Sequence, residues 1–140
     1  MNEYVNVIRN HYADFRGRAR RREYWMFYLI NMLVSLALYL PFAVQAASAP
    51  DPATATPSGL ALLSLVVAGL YSLFVLIPSL AVSVRRLHDT GRSGWWYLIN
   101  FVPFVGGLVF LIFMVLDSQP GANRWGPNPK GQAANAAADW

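Results

Sequence analysis

The chain has 140 residues, which fits one domain and is too short for a second independent core. Hydrophobic residues make up 56% and the mean hydropathy is +0.34, more apolar surface than a small water-soluble globule can hide, so the composition points to a membrane protein. The net charge is +4 with the arginines clustered, which suits a membrane surface carrying anionic lipid better than nucleic acid, and with no cysteine the chain holds no disulfide, iron–sulfur cluster or thiolate zinc site.

In chain order, "MNEYVNVIRNHYADF" places Tyr4, Ile8, Tyr12 and Phe15 at helical spacing with polar residues between them, and predicts a short amphipathic helix on the membrane surface. "RGRARRRE" follows, with Arg16, Arg18, Arg20, Arg21 and Arg22 around the helix-breaking Gly17. Residues 25–47 carry no formal charge and are long enough for a helix that crosses a hydrocarbon core of about 30 Å. Pro41 should kink or shorten that helix. The small residues of "AVQAAS" resemble a signal-peptide cleavage site, but the apolar run is longer than such peptides use, so it reads as an anchor.

Residues 47–59 form a Pro- and Thr-rich loop whose only charge is Asp51, and residues 60–84 predict a second span. Ser64, Ala68 and Ser72 recur every four residues and would let a neighbouring helix approach closely. Residues 85–94 read as a charged loop. Residues 95–116 are again uncharged, with Pro103, Gly106 and Gly107 at their centre. They read either as a single kinked span, the preferred reading because irregular backbone is costly in lipid, or as a re-entrant hairpin, which the charges favour. The tail from Asp117 is rich in Gly, Pro, Asn and Ala, and residues 131–140 are expected to be mobile. The expectation is an all-α integral membrane protein: one membrane domain over residues 1–130 with about three transmembrane helices, after an amphipathic interfacial helix. Six arginines precede the first span, none lies in residues 47–59, and three lie between the second and third spans, which places the amino terminus in the cytoplasm.

"FRGRARRREYW", "RRLHDTGRSGWW", "VPFVGG" and "GANRWGPNP" together resemble the small bacterial inner-membrane proteins of the YhaH type, the domain of unknown function eight hundred and five. The resemblance covers residues 2–130. It implies a multi-pass protein of the bacterial inner membrane whose activity is not established, so it supplies a location and no chemistry.

The candidate site is an arginine collar. Arg16, Arg18, Arg20, Arg21, Arg22, Arg85, Arg86 and Arg92 could contact anionic head groups or a protein partner, or act only as an orientation signal. Glu23 should pair with Arg85 or Arg86, and Asp89 with one of Arg18 to Arg22, because uncompensated arginines would repel one another at an interface less polar than water. Tyr24, Trp25, Trp95 and Trp96 fall where spans begin and read as an aromatic belt. Asn31 and Asn100, at similar depth in straight helices, should bond to one another. His88 beside Asp89 reads as a hydrogen-bonded loop residue rather than a proton carrier, since no acid follows within the spans. "GRSG" matches an intramembrane-protease pattern, yet Ser93 lies in a charged segment without a histidine on a neighbouring span, so a helix cap is the better reading. No nucleophile–base pair or metal set is discernible, so neither an enzyme nor a cofactor is expected. The expected partners are membrane lipids, with a second copy of the chain left open, and no nucleic acid. The competing reading is a subunit of a small oligomeric transporter or channel.

Overall fold

The computed structural model describes residues 2–51 and 56–131. Among them are α1 (Asn2–Asn10), α2 (Arg21–Ser48), α3 (Gly59–Asp89), a 3-10 helix η1 (Gly94–Phe101) and α4 (Gly106–Val115), with no strand beyond an isolated bridge between Asn123 and Gly126. The expected mobile tail falls on residues 132–140, outside the described ones, apart from Gly131.

α2 and α3 are long and apolar enough to cross a membrane, and little of either is buried within the chain. That exposure separates them from the core helices of a soluble protein, whose apolar faces are covered. At about 1.5 Å per residue their 28 and 31 residues reach about 42 and 46 Å, so their ends extend beyond a hydrocarbon core of about 30 Å. α2 stays helical through Pro41 as far as Ser48, so the helix is not shortened there. In lipid a helix that stopped early would leave its carbonyls without partners.

Contacts divide the chain into two compact units, Tyr28–Leu76 and the pair of segments Met1–Phe27 and Ile77–Trp140. Within Tyr28–Leu76 the two helices run antiparallel. The Tyr71 hydroxyl donates to Asn31 Oδ1 at 2.5 Å near one end, and Gln45 donates to the Thr56 carbonyl at 3.0 Å and accepts from Ser58 N at 2.8 Å near the other. Ser58 Oγ caps the start of α3 by accepting from Ala61 N. Ala61, Ser64 and Ala68 are buried, whereas Ser72 is exposed and returns its hydroxyl to Ala68 O.

In the other unit α1 stops at Asn10, short of the predicted Phe15, and His11 Nδ1 donates to Asp14 at 2.9 Å in the turn that follows. Its apolar face packs inward, with Val7 buried and Tyr4 stacked on Phe27 at 5.5 Å. Residues 85–89, expected in a loop, are instead the last turns of α3. Nothing before Gly91 breaks the helix. Gly91, at φ 78°, ends it: Arg92 N bonds to Leu87 O and Gly91 N to His88 O, the Schellman arrangement.

The third apolar segment is a helical hairpin and not the kinked span. Ser93 caps η1 by accepting from Trp95 N. Residues 102–105 then reverse the chain, with Phe104 at φ 68°, a conformation bulky residues rarely adopt, and α4 returns alongside η1. Trp96 meets Phe113 edge-on at 5.6 Å and Tyr97 meets Phe110 at 5.4 Å. The legs pack so closely that a Cβ on Gly106 would lie 1.9 Å from Ile99 O, while Gly107 faces open space. Asn100 is exposed and donates to its own Tyr97 O at 2.9 Å, and Asn31 is engaged by Tyr71. η1 is a 3-10 helix and not the α-helix from whose rise the similar depth of Asn31 and Asn100 is read.

Candidate functional site: the arginine–carboxylate cluster

The cluster lies in the unit Met1–Phe27 with Ile77–Trp140, and α3 supplies its centre. A helix places residues three and four apart on one face, so Arg85, Arg86, His88 and Asp89 at its last turns project toward neighbouring segments. Asp89 is fully buried. Its Oδ1 accepts from Arg18 Nε at 3.0 Å, and its Oδ2 accepts from Arg86 Nη1 and from Ser118 Oγ at 2.6 Å. Arg18 and Ser118 lie far from Asp89 in the sequence, yet both converge with Arg86 on this one carboxylate.

The arginines are satisfied by main-chain carbonyls as well as by acids. Arg18 donates to Gly121 O at 2.7 Å and Gln119 O at 2.6 Å. Arg86 donates to Met114 O at 3.2 Å and to Leu116 O, the carbonyls at the end of α4, where the helix dipole favours a cation. Gln119 N returns a bond to Asp89 O at 2.7 Å, and Ala19 N bonds to Arg85 O at 3.0 Å. The buried guanidinium groups thus tie the amino-terminal arginine segment, the end of α3 and the carboxyl-terminal segment together.

Glu23, at the start of α2, accepts from Arg85 Nη1 at 2.9 Å, and both side chains are buried. Arg85 Nε is a buried nitrogen with no partner among the described residues. Around this interior lie more exposed pairs: Arg20 and Arg22 on Glu3 at 3.1 and 3.6 Å, and Arg21 on Asp117 at 3.4 Å. Lys130 also bonds Asp117, and this bond above all holds that carboxyl below its usual range. Arg92 sets its guanidinium over the Phe113 ring at 4.2 Å and donates to Thr90 O. Arg16 is exposed, and its main-chain N–H bonds Asp14 at 3.0 Å.

His88 is buried and donates from Nδ1 to Gly17 O at 3.1 Å, a bond made possible by the turn at Gly17, φ 77°. Its ring stacks on Trp125 at 4.5 Å, and Arg124 lies 4.0 Å from the Trp125 ring. His88 is a packed, hydrogen-bonded side chain. No sequence signal placed Trp125 on it, because the tail must first fold back across residues 117–125.

The eight arginines therefore differ in role. Arg18, Arg85 and Arg86 are buried and committed to internal partners, and Arg16, Arg21 and Arg22 are exposed. Of the expected belt, Trp25, Trp95 and Trp96 are exposed, whereas Tyr24 is buried with its ring edge-on to Trp25 at 5.3 Å. Among the described residues no group of three or more His, Asp or Glu could hold a metal ion. An apolar cleft of about 440 Å³ opens beside the cluster, lined by Phe15, Leu80, Val84, His88, Trp95 and Leu98 among others.

The motifs that build this cluster run from Phe15 to Pro129, nearly the extent over which the chain matches known proteins. Residues 12–127 match the family described as protein of unknown function (DUF805). The inner membrane protein YhaH of Escherichia coli K12 is 40% identical over 133 residues, covering 93% of this chain and 98% of YhaH. The inner membrane protein YhaI of the same organism is 42% identical over 130 residues, covering 93% of this chain and 97% of YhaI. No solved structure matches the chain. With two long apolar helices, a buried arginine–carboxylate cluster at their charged ends and this extent of similarity, the chain is a helical membrane protein that belongs to the DUF805 family.

Proposed function

We propose that the chain is a non-catalytic, multi-pass module of the bacterial inner membrane, with α2 and α3 spanning and both ends of the described chain on the cytoplasmic side. The arginine distribution supports this orientation, since loops rich in Arg stay inside and residues 47–59 carry none. The observation that carries the functional reading is the division of labour among the arginines. Arg18, Arg85 and Arg86 hold the fold together, while Arg16, Arg21 and Arg22 present exposed guanidinium groups beside the charged ends of the apolar helices. Such groups bind phosphate oxygens bidentately, so anionic head groups are the expected ligands.

The transporter or channel reading gains less support. Residues 24–48 and 59–84 contain no Asp, Glu, Lys, Arg or His, and coupled transport usually needs an ionisable group within the bundle. Native mass spectrometry of the purified chain tests the proposal. The wild type should retain anionic lipid, and the variant with Arg16, Arg21 and Arg22 changed to Gln should lose that preference while staying folded. Equal retention by both would leave the exposed arginines as an orientation signal only.

A further inference from the structure

The hairpin of residues 94–116 ends in rings that are left uncovered. Phe104 is fully exposed and Phe101 is 78% exposed, with Val102 and Val105 beside them. Water would have to hydrate this whole tip. The foot of the hairpin, by contrast, lies where the apolar part of α3 ends. Gly94 sits against Val84, the last residue before Arg85, and Trp95, Tyr97 and Leu98 share a cleft with Leu80 and Val84. η1 therefore runs back along the apolar end of α3.

Its length sets how far it reaches. Eight residues of 3-10 helix at ~2.0 Å each extend about 16 Å, and ten α-helical residues at ~1.5 Å extend about 15 Å. Each leg covers about half of a hydrocarbon core of about 30 Å. At the tip, of residues 102–106 only Phe104 keeps an N–H without a bond, a small part of the demand that hydrocarbon makes on backbone. Pro103 has no N–H to satisfy, and Val102, Val105 and Gly106 donate to Ile99, Pro103 and Val102 carbonyls. No formal charge lies between Trp95 and Leu116, and the polar ends are held at the foot, where Arg86 binds Leu116 O and Gln119 binds Asp89 O.

We propose that residues 94–116 form a wedge that enters only the leaflet on the arginine side, with Phe101 and Phe104 near the bilayer midplane. The hydrocarbon of that leaflet covers its apolar surface. The wedge rests on the reading of α2 and α3 as spans.

Because the chain has no cysteine, single cysteines can carry nitroxide labels in the full-length protein. Phe104→Cys, Val105→Cys and Trp95→Cys are labelled in vesicles of phosphatidylethanolamine and phosphatidylglycerol, and collisions with oxygen and with a water-soluble nickel chelate are compared. All three positions are exposed, so a variant that fails to fold at one tip position leaves the other to report. Oxygen should dominate at 104 and 105, and nickel should gain at 95. Nickel reaching 104 as readily as 95 would mean a hairpin lying on the surface, and would overturn the wedge. Access to 104 by an impermeant reagent from the face that exposes Ser58 would mean a through-crossing segment, which the wedge equally forbids. Dipolar broadening at 104 that vanishes on mixing with unlabelled chain would put a second copy on the tip in place of lipid, and also overturns it. Cysteines at 58 and 93 reacting from the same face would instead sink the two-span reading itself, so the two failures are distinguishable.

Discussion

Arg18 Nε lies 3.0 Å from Asp89 Oδ1, and neither side chain has appreciable contact with solvent. The pair joins the segment before α2 to the end of α3. A buried pair of this kind contributes modestly when intact, because its charges were removed from water, but breaking it strands a cation. Asp89→Asn strands two, Arg18 and Arg86. It should cost about 3–5 kcal/mol of stability, read as a lower unfolding midpoint in detergent. A midpoint equal to the wild type would show that the main-chain carbonyls satisfy both arginines without the acid.

The second buried pair allows a more discriminating test. Glu23→Arg places a cation against Arg85 and should destabilise the fold strongly, and adding Arg85→Glu should recover much of the loss. Arg86→Glu should not rescue it, because Arg86 serves Asp89 and the end of α4. Rescue by Arg86→Glu and not by Arg85→Glu would reverse the assignment.

Gly106 and Gly107 separate a hairpin from a kinked span. In a straight or bent helix either glycine could become alanine with a gain in stability. In the hairpin a Cβ at 106 would meet Ile99 O, whereas 107 is open. Gly106→Ala should therefore destabilise and Gly107→Ala should not, as read by thermal unfolding of the two variants.

The apolar runs were legible because a helix in lipid must be uncharged along its whole length, and residues 25–47 and 60–84 lie within α2 and α3. The end of α3 was not, since Arg85 and Asp89 look like loop residues when charge alone is read, and only Gly91 breaks the helix. The direction of residues 95–116 depends on contacts that no local pattern encodes: Gly106 against Ile99 O, and Arg86 on the carbonyls of Met114 and Leu116. The same holds for the site. The carboxylates stood out among the arginines, but which arginine each one meets depends on where residues 17–19 cross α3. Asn31 illustrates the converse, a polar residue whose partner, Tyr71, was hidden in an apolar run.

The central claim is that the arginine–carboxylate cluster holds the amino-terminal segment, the end of α3 and the tail at one membrane face, with residues 47–59 at the other. Single cysteines at Ala122 and Ser58, both exposed, test it most directly with an impermeant maleimide applied to intact cells and to inverted vesicles. The account predicts that Ser58→Cys reacts in intact cells and Ala122→Cys only in inverted vesicles. Labelling of Ala122→Cys from outside intact cells would contradict it, because residues 95–116 would then cross the membrane and carry the tail away from Arg18 and Asp89.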